Sequence, residues 1–160
     1  MVHGKSVNSK FSQRSLKAQE LFTEGFNCAQ SVVAAWADAY GLDKDMALRL
    51  SSSFGGGMGR MRQTCGAACG LFMLAGLETG SVSGPDRAQK AANYALVQKL
   101  AAQFREEMGS LNCGELLGLS KPEGTSMPAE RTPEYYKKRP CKEIVARASE
   151  IFARYLQEKK

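Results

Sequence analysis

The chain has 160 residues, 43% of them hydrophobic, which is enough for one domain with its own core. Its net charge of +6 comes from 22 basic and 16 acidic residues mixed along the chain, so the charge does not indicate a nucleic-acid partner. No apolar stretch reaches the about 20 residues of a membrane span, and the first fifteen residues lack the apolar segment of a secretory signal. We therefore expect a cytoplasmic protein that binds neither nucleic acid nor membrane.

Apolar residues at helical spacing recur along the chain, and no alternating strand pattern persists. Residues 1–14 are polar and predict a mobile tail, followed by a helical domain over residues 15–160. Residues 119–133, rich in Pro, Gly, Ser and Thr, predict a loop. We expect an all-α fold, an irregular bundle of about six helices in a single domain. The predicted helices begin near Ser15, Cys28, Asp43, Cys65, Asp86, Cys113 and Cys141.

Four of the five cysteines lie in the first turn of a predicted helix: Cys28, Cys65, Cys113 and Cys141. A helix N-terminus offers unpaired N–H groups and a partial positive charge, and both stabilise a thiolate by lowering its pKa. If the bundle brings these ends together, the natural products are a four-thiolate metal or iron–sulfur site, or a relay of disulfides. The fifth thiol, Cys69, lies one helical turn after Cys65.

Other chemistry has few candidates in this sequence. No C-x-x-C pair occurs, which disfavours zinc and a thioredoxin-like dithiol, and no C-x-x-C-H occurs for covalent c-type haem. The single histidine, His3, falls in the predicted tail, so histidine-based catalysis is not expected.

A glycine-rich loop precedes Cys65. It matches neither G-x-G-x-x-G nor G-x-x-x-x-G-K-[ST], and no predicted strand leads into it, so a nucleotide site is not predicted. Its amides around Gly56 and Gly57, together with Arg60 and Arg62, are candidates for binding a small anion or a negatively charged cluster. The alternative is a loop whose glycines let it pass close to other backbone.

Several motifs occur in a fixed order between residues 20 and 155: F-x-x-G-x-N-C-A-Q at 22–30, the glycine loop, C-G-A-x-x-G at 65–70, a Cys with Leu-Leu-Gly at 113–118, and a Cys before an apolar helix at 141. They resemble the redox-active proteins named after their cysteine pattern, C_GCAxxG_C_C. The resemblance implies a small helical protein with Cys28, Cys65, Cys113 and Cys141 as signature cysteines. A related domain in split-Soret-type cytochromes implies an iron–sulfur centre. Cys69 falls on a variable position of the motif.

Three functional hypotheses follow. In the first, the four helix-terminal cysteines hold an iron–sulfur cluster, most simply a two-iron one, and pass electrons to a redox partner protein. In the second, a metal-free protein cycles a disulfide between two of the cysteines, with Cys69 as a candidate resolving thiol. In the third, the cysteines are inert and the chain is a helical interaction module. The oligomeric state is not predicted.

Overall fold

Eight α-helices form the framework of residues 9–159, the part of the chain that this computed structural model describes. A 3-10 helix, Ala37–Tyr40, extends the second helix. The prediction of an all-α protein is confirmed. The helices are α1 Ser9–Thr23, α2 Cys28–Trp36, α3 Lys44–Ser52, α4 Gly66–Thr79, α5 Arg87–Met108, α6 Cys113–Leu116, α7 Pro133–Lys138 and α8 Cys141–Lys159.

The first helix is longer than predicted. It begins at Ser9 and not near Ser15. Arg14 gives a reason, because its guanidinium pairs with Asp38, donates to the Ala35 carbonyl (3.0 Å) and lies over the Trp36 ring. The expected tail falls partly on residues 1–8, which lie outside the described residues together with His3.

The central helices of the bundle are α2 and α4; α8 packs on both of them, and α1 packs on α2 and α8. The Trp36 indole donates to Ser149 Oγ (2.9 Å), and its ring meets Phe152 edge-on at 5.0 Å. Close packing of α4 on α2 depends on Gly70, where a Cβ would lie only 3.0 Å from Val32 Cβ. The apolar stripe predicted for α8 is buried in this core.

Two features of the segments between the long helices were not predicted from the sequence. An additional helix, α7, follows the predicted loop; Thr132 Oγ1 caps it by accepting from the Tyr135 amide (3.2 Å). Among residues 9–159 there is no β-strand, but an isolated antiparallel bridge joins Thr64 to Asn112. None of the described helices combines the length and apolarity that crossing a bilayer requires.

Candidate functional site

Local capping places two of the cysteines. Cys28 is the first residue of α2, and Asn27 caps that helix through a reciprocal pair of hydrogen bonds with Gln30 (2.9 and 3.0 Å). Cys113 likewise opens α6, where Asn112 Oδ1 accepts from the Glu115 amide (2.9 Å). Because these caps are short-range, the sequence was enough to predict both positions.

The other two cysteines also lie at helix starts. Cys141 is the first residue of α8. Cys65 is itself the N-cap of α4, so it lies directly before the first helical residue and not within the first turn. The reason is the bridge between Thr64 and Asn112, which holds Thr64 in extended backbone. All five cysteines are free thiols.

The fold brings Cys28, Cys65, Cys113 and Cys141 to the wall of one cavity of ≈ 60 Å³. A water molecule needs about 10–15 Å³ on a comparable measure, so the cavity has room for a small inorganic group. Cys69 is not part of the wall; its thiol lies 3.8 Å from the Thr64 carbonyl oxygen. Within the described residues, no three His, Cys, Asp or Glu side chains are arranged to hold one metal ion.

The four cysteines form two pairs. The Cys28 and Cys141 thiols lie close enough for each to shift the pKa of the other. The other pair is held by backbone: the Cys65 amide donates to Leu111 O (2.7 Å) and the Cys113 amide to Gln63 O (2.6 Å). These two bonds flank the bridge and tie the segments carrying Cys65 and Cys113 to each other.

The Cys28 and Cys141 thiols shift each other's pKa in opposite directions. The neighbouring Cys28 thiol lowers the pKa of Cys141 to about 7, helped by the guanidiniums of Arg139, Arg131 and Arg62. The pKa of Cys28 is raised well above its usual value by the neighbouring Cys141 and by burial. Cys141 is therefore the thiolate of the pair near neutral pH.

Burial has the opposite effect on the remaining thiols. It raises the pKa of Cys65 to about 12 and that of Cys69 to about 11, and it raises the pKa of Cys113 despite the Arg62 guanidinium beside it. The prediction that helix starts lower the thiol pKa is therefore wrong at Cys28, Cys65 and Cys113, and at Cys141 the pKa is lowered by Cys28 and the guanidiniums and not by the helix end. At the three positions where the prediction is wrong, the loss of solvation raises the thiol pKa by more than the N–H groups of the helix end lower it.

The glycine loop is packed directly on the cysteine segments. Residues 56–60 and Arg62 all have φ between +58° and +73°, which forms a left-handed turn. A Cβ on Gly57 would lie 2.6 Å from Cys113 Cβ, and one on Gly55 would lie 2.3 Å from Asn27 Nδ2. Gly56 lines the cavity itself. Gly55 and Gly57 thus lie where a side chain would clash with the segments that carry Cys28 and Cys113, whereas nothing lies within 4 Å of a Cβ on Gly59.

The two predicted arginines have different positions. Arg62 lines the cavity and is 5% exposed; its Nη1 donates to Cys113 Sγ at 3.6 Å. Its other nitrogens form a two-point ion pair with Glu123 (2.7 and 2.9 Å). Arg60 is not in the cavity wall, and it binds Glu123 (3.3 Å) and Thr125 O (3.3 Å) from outside. Both side chains tie the loop after α6 to the glycine loop.

Sequence reasoning missed several cavity residues, among them Arg131, Tyr135 and Arg139. Arg131 donates to Phe22 O (2.8 Å) and Phe26 O (3.0 Å), and Arg139 lies over the Tyr135 ring at 5.1 Å. Two local signals could have pointed to them: the Thr-Pro helix start at Thr132 and the position of Arg139 just before Cys141.

The fold and the site together define a class of small all-α protein in which four cysteines at helix starts line one cavity. The chain belongs to the family described as "Putative redox-active protein (C_GCAxxG_C_C)", which matches residues 26–155. It is also 33% identical, over 161 positions covering 94% of this chain and 96% of the relative, to an "Uncharacterized protein" of Archaeoglobus fulgidus. No solved structure is significantly similar to this chain.

Proposed function

We propose that this chain is an electron-transfer protein in which Cys28, Cys65, Cys113 and Cys141 hold a two-iron iron–sulfur cluster. One observation carries the proposal: thiols from four separate helix starts line a single small cavity. A disulfide would need only two of them. Thiolates are the ligands that such clusters take from proteins, and four suffice for a two-iron one.

The pairing of the cysteines fits two irons better than one ion. A zinc site takes its ligands in a tetrahedron around one point. In a two-iron cluster each iron takes two thiolates, and the site supplies Cys28 with Cys141 and Cys65 with Cys113. We assign those pairs as the ligands, and Cys69 as a bystander because it lies outside the wall.

The charge of the site supports an anionic occupant. Burial raises the pKa of Cys65 and Cys113 because a thiolate loses its solvation there, and the neighbouring cysteines raise both values further by repulsion. Two ferric ions and two sulfides reduce the sum with four thiolates to about −2. Arg62, Arg131 and Arg139 in the wall offset that charge. When bound, such a cluster supplies one-electron transfer to a redox partner protein; a reducing cytoplasm would keep the thiols free to take it up.

The test is a serine series reconstituted with iron and sulfide without oxygen. Replacing any one of Cys28, Cys65, Cys113 or Cys141 by Ser should remove the visible charge-transfer bands or weaken them strongly. Cys69→Ser is the matched control and should keep the wild-type spectrum. A wild-type spectrum in Cys113→Ser would rule out the four-ligand site.

A second function, thiol–disulfide exchange without metal, is favoured by the Cys28–Cys141 contact. The Cys141 thiolate would attack one sulfur of an organic disulfide and release one thiolate. Cys28, on losing its proton, would then attack Cys141 and release the second thiolate, so that two electrons reach the substrate. Cys69 lies outside the cavity, so Cys28 takes the resolving role.

Oxidation of metal-free protein tests this second function. Treatment with a mild organic disulfide should link Cys28 to Cys141, detected by peptide mapping, and leave Cys69 free. A link from Cys141 to any other cysteine would contradict this assignment.

A further inference from the structure

A second recess lies against the cysteine cavity. It has a volume of ≈ 410 Å³ and shares six wall residues with the cavity, three of them arginines. We call it the arginine recess after the four arginines in its wall: Arg60, Arg62, Arg131 and Arg139. Its volume falls in the range of small-molecule sites, about 300–1,000 Å³.

The arginine recess carries an excess of positive charge. Its wall contains no Asp or Glu. Glu123 pairs with Arg60 and Arg62 from the side. Arg131 and Arg139 form no ion pair with any carboxylate described in residues 12–159, so four guanidiniums face one carboxylate.

These arginines are also fixed in place. Arg131 is held by two backbone carbonyls and lies 4.2 Å from the centre of the Phe22 ring; Arg139 stacks on Tyr135. A guanidinium that is already ordered loses little freedom when it binds, and its fork matches carboxylate and phosphate oxygens. The charge therefore lines a concave, ordered surface and not a flat solvated face.

We propose that the arginine recess binds a small anion with two or more carboxylate or phosphate groups, next to the cysteine cavity. The site does not depend on which redox chemistry the cysteines carry out, so it goes beyond the proposed function. A negatively charged group in the cavity would compete for Arg62, Arg131 and Arg139. The anion should accordingly bind more tightly to metal-free protein than to loaded protein.

Isothermal titration of the metal-free full chain with citrate and, separately, with pyrophosphate tests this site. We expect saturable one-to-one binding of at least one probe, and the probe that binds distinguishes carboxylate from phosphate recognition. Arg139→Gln should weaken binding about tenfold or more. Arg139 is chosen over Arg131 because the Arg131 side chain donates hydrogen bonds to two backbone carbonyls, and replacing it would also disturb the fold.

The matched control is Arg87→Gln, at the exposed start of α5, which removes the same charge far from the recess in sequence and should leave affinity nearly unchanged. Equal weakening in both variants would show general attraction to a basic surface and overturn the proposal. Absence of saturable binding by both probes would overturn it as well. Because no iron is involved, failure here leaves the cluster proposal intact, and failure of the cluster leaves this site intact.

Discussion

Gly57 offers a direct test of how the glycine loop is packed against the cysteine site. Substituting Ala there adds one methyl group at φ +73°, where it would lie 2.6 Å from Cys113 Cβ, 2.7 Å from Gln63 N and 2.8 Å from Arg62 Cα. All three contacts are with backbone or with an atom fixed to it, so no side-chain rotation relieves them. Gly59→Ala is the matched control, because its φ of +58° is similar and nothing lies within 4 Å of the added Cβ.

The magnitude has two parts. Placing Ala in left-handed backbone costs about 1–2 kcal/mol in either variant. Overpacking adds about 1–3 kcal/mol at Gly57 alone. We therefore expect Gly59→Ala to lower the free energy of unfolding by about 1–2 kcal/mol and Gly57→Ala by about 2–5 kcal/mol. For a chain of this size, the overpacking alone corresponds to a further drop in Tm of about 2–12 °C.

Urea unfolding of both metal-free variants, followed by circular dichroism, measures the difference. Gly57→Ala should also retain less iron after reconstitution, because relief of the clash moves the Cys113 segment. Equal destabilisation by the two substitutions would refute the view that the loop is packed on Cys113.

Three further predictions follow from the electrostatics and capping of the site. Arg62 holds the pKa of Glu123 at about 2, so this carboxylate stabilises the fold above its unfolded pKa of about 4.3 and loses that effect as pH falls to about 2. Acid titration of stability should show this loss in wild type and not in Glu123→Gln. Thiolate absorbance of metal-free protein should show one group titrating near pH 7 that is absent in Cys141→Ser and shifted upward in Arg139→Gln. Asn27→Ala should cost about 1 kcal/mol in urea unfolding through loss of the α2 cap, and an unchanged midpoint would contradict the capping role.

Short-range signals in the sequence were sufficient for part of the site. Asn27 and Asn112 are the N-caps directly before Cys28 and Cys113, so neighbouring residues alone predict where these two cysteines lie on their helices. Convergence of the helix starts on one cavity was only a conditional expectation, because it depends on how α2, α4, α6 and α8 pack.

The remaining features depend on contacts between distant segments. Arg131 reaches Phe22 O across 109 positions, and Arg62 reaches Glu123 across 61, so no local pattern assigns either one. The thiol pKa values depend on burial and on neighbouring side chains, which explains why reasoning from helix ends alone was wrong at Cys28, Cys65 and Cys113 and did not identify the cause at Cys141.

The central claim is that the four cysteines hold a two-iron cluster. Its most direct test is the content of iron and acid-labile sulfide per chain in wild-type protein purified and reconstituted without oxygen. We expect about two of each, together with charge-transfer bands in the visible spectrum. Protein that remains colourless and free of iron under these conditions would contradict the claim and leave the Cys28–Cys141 dithiol as the redox site.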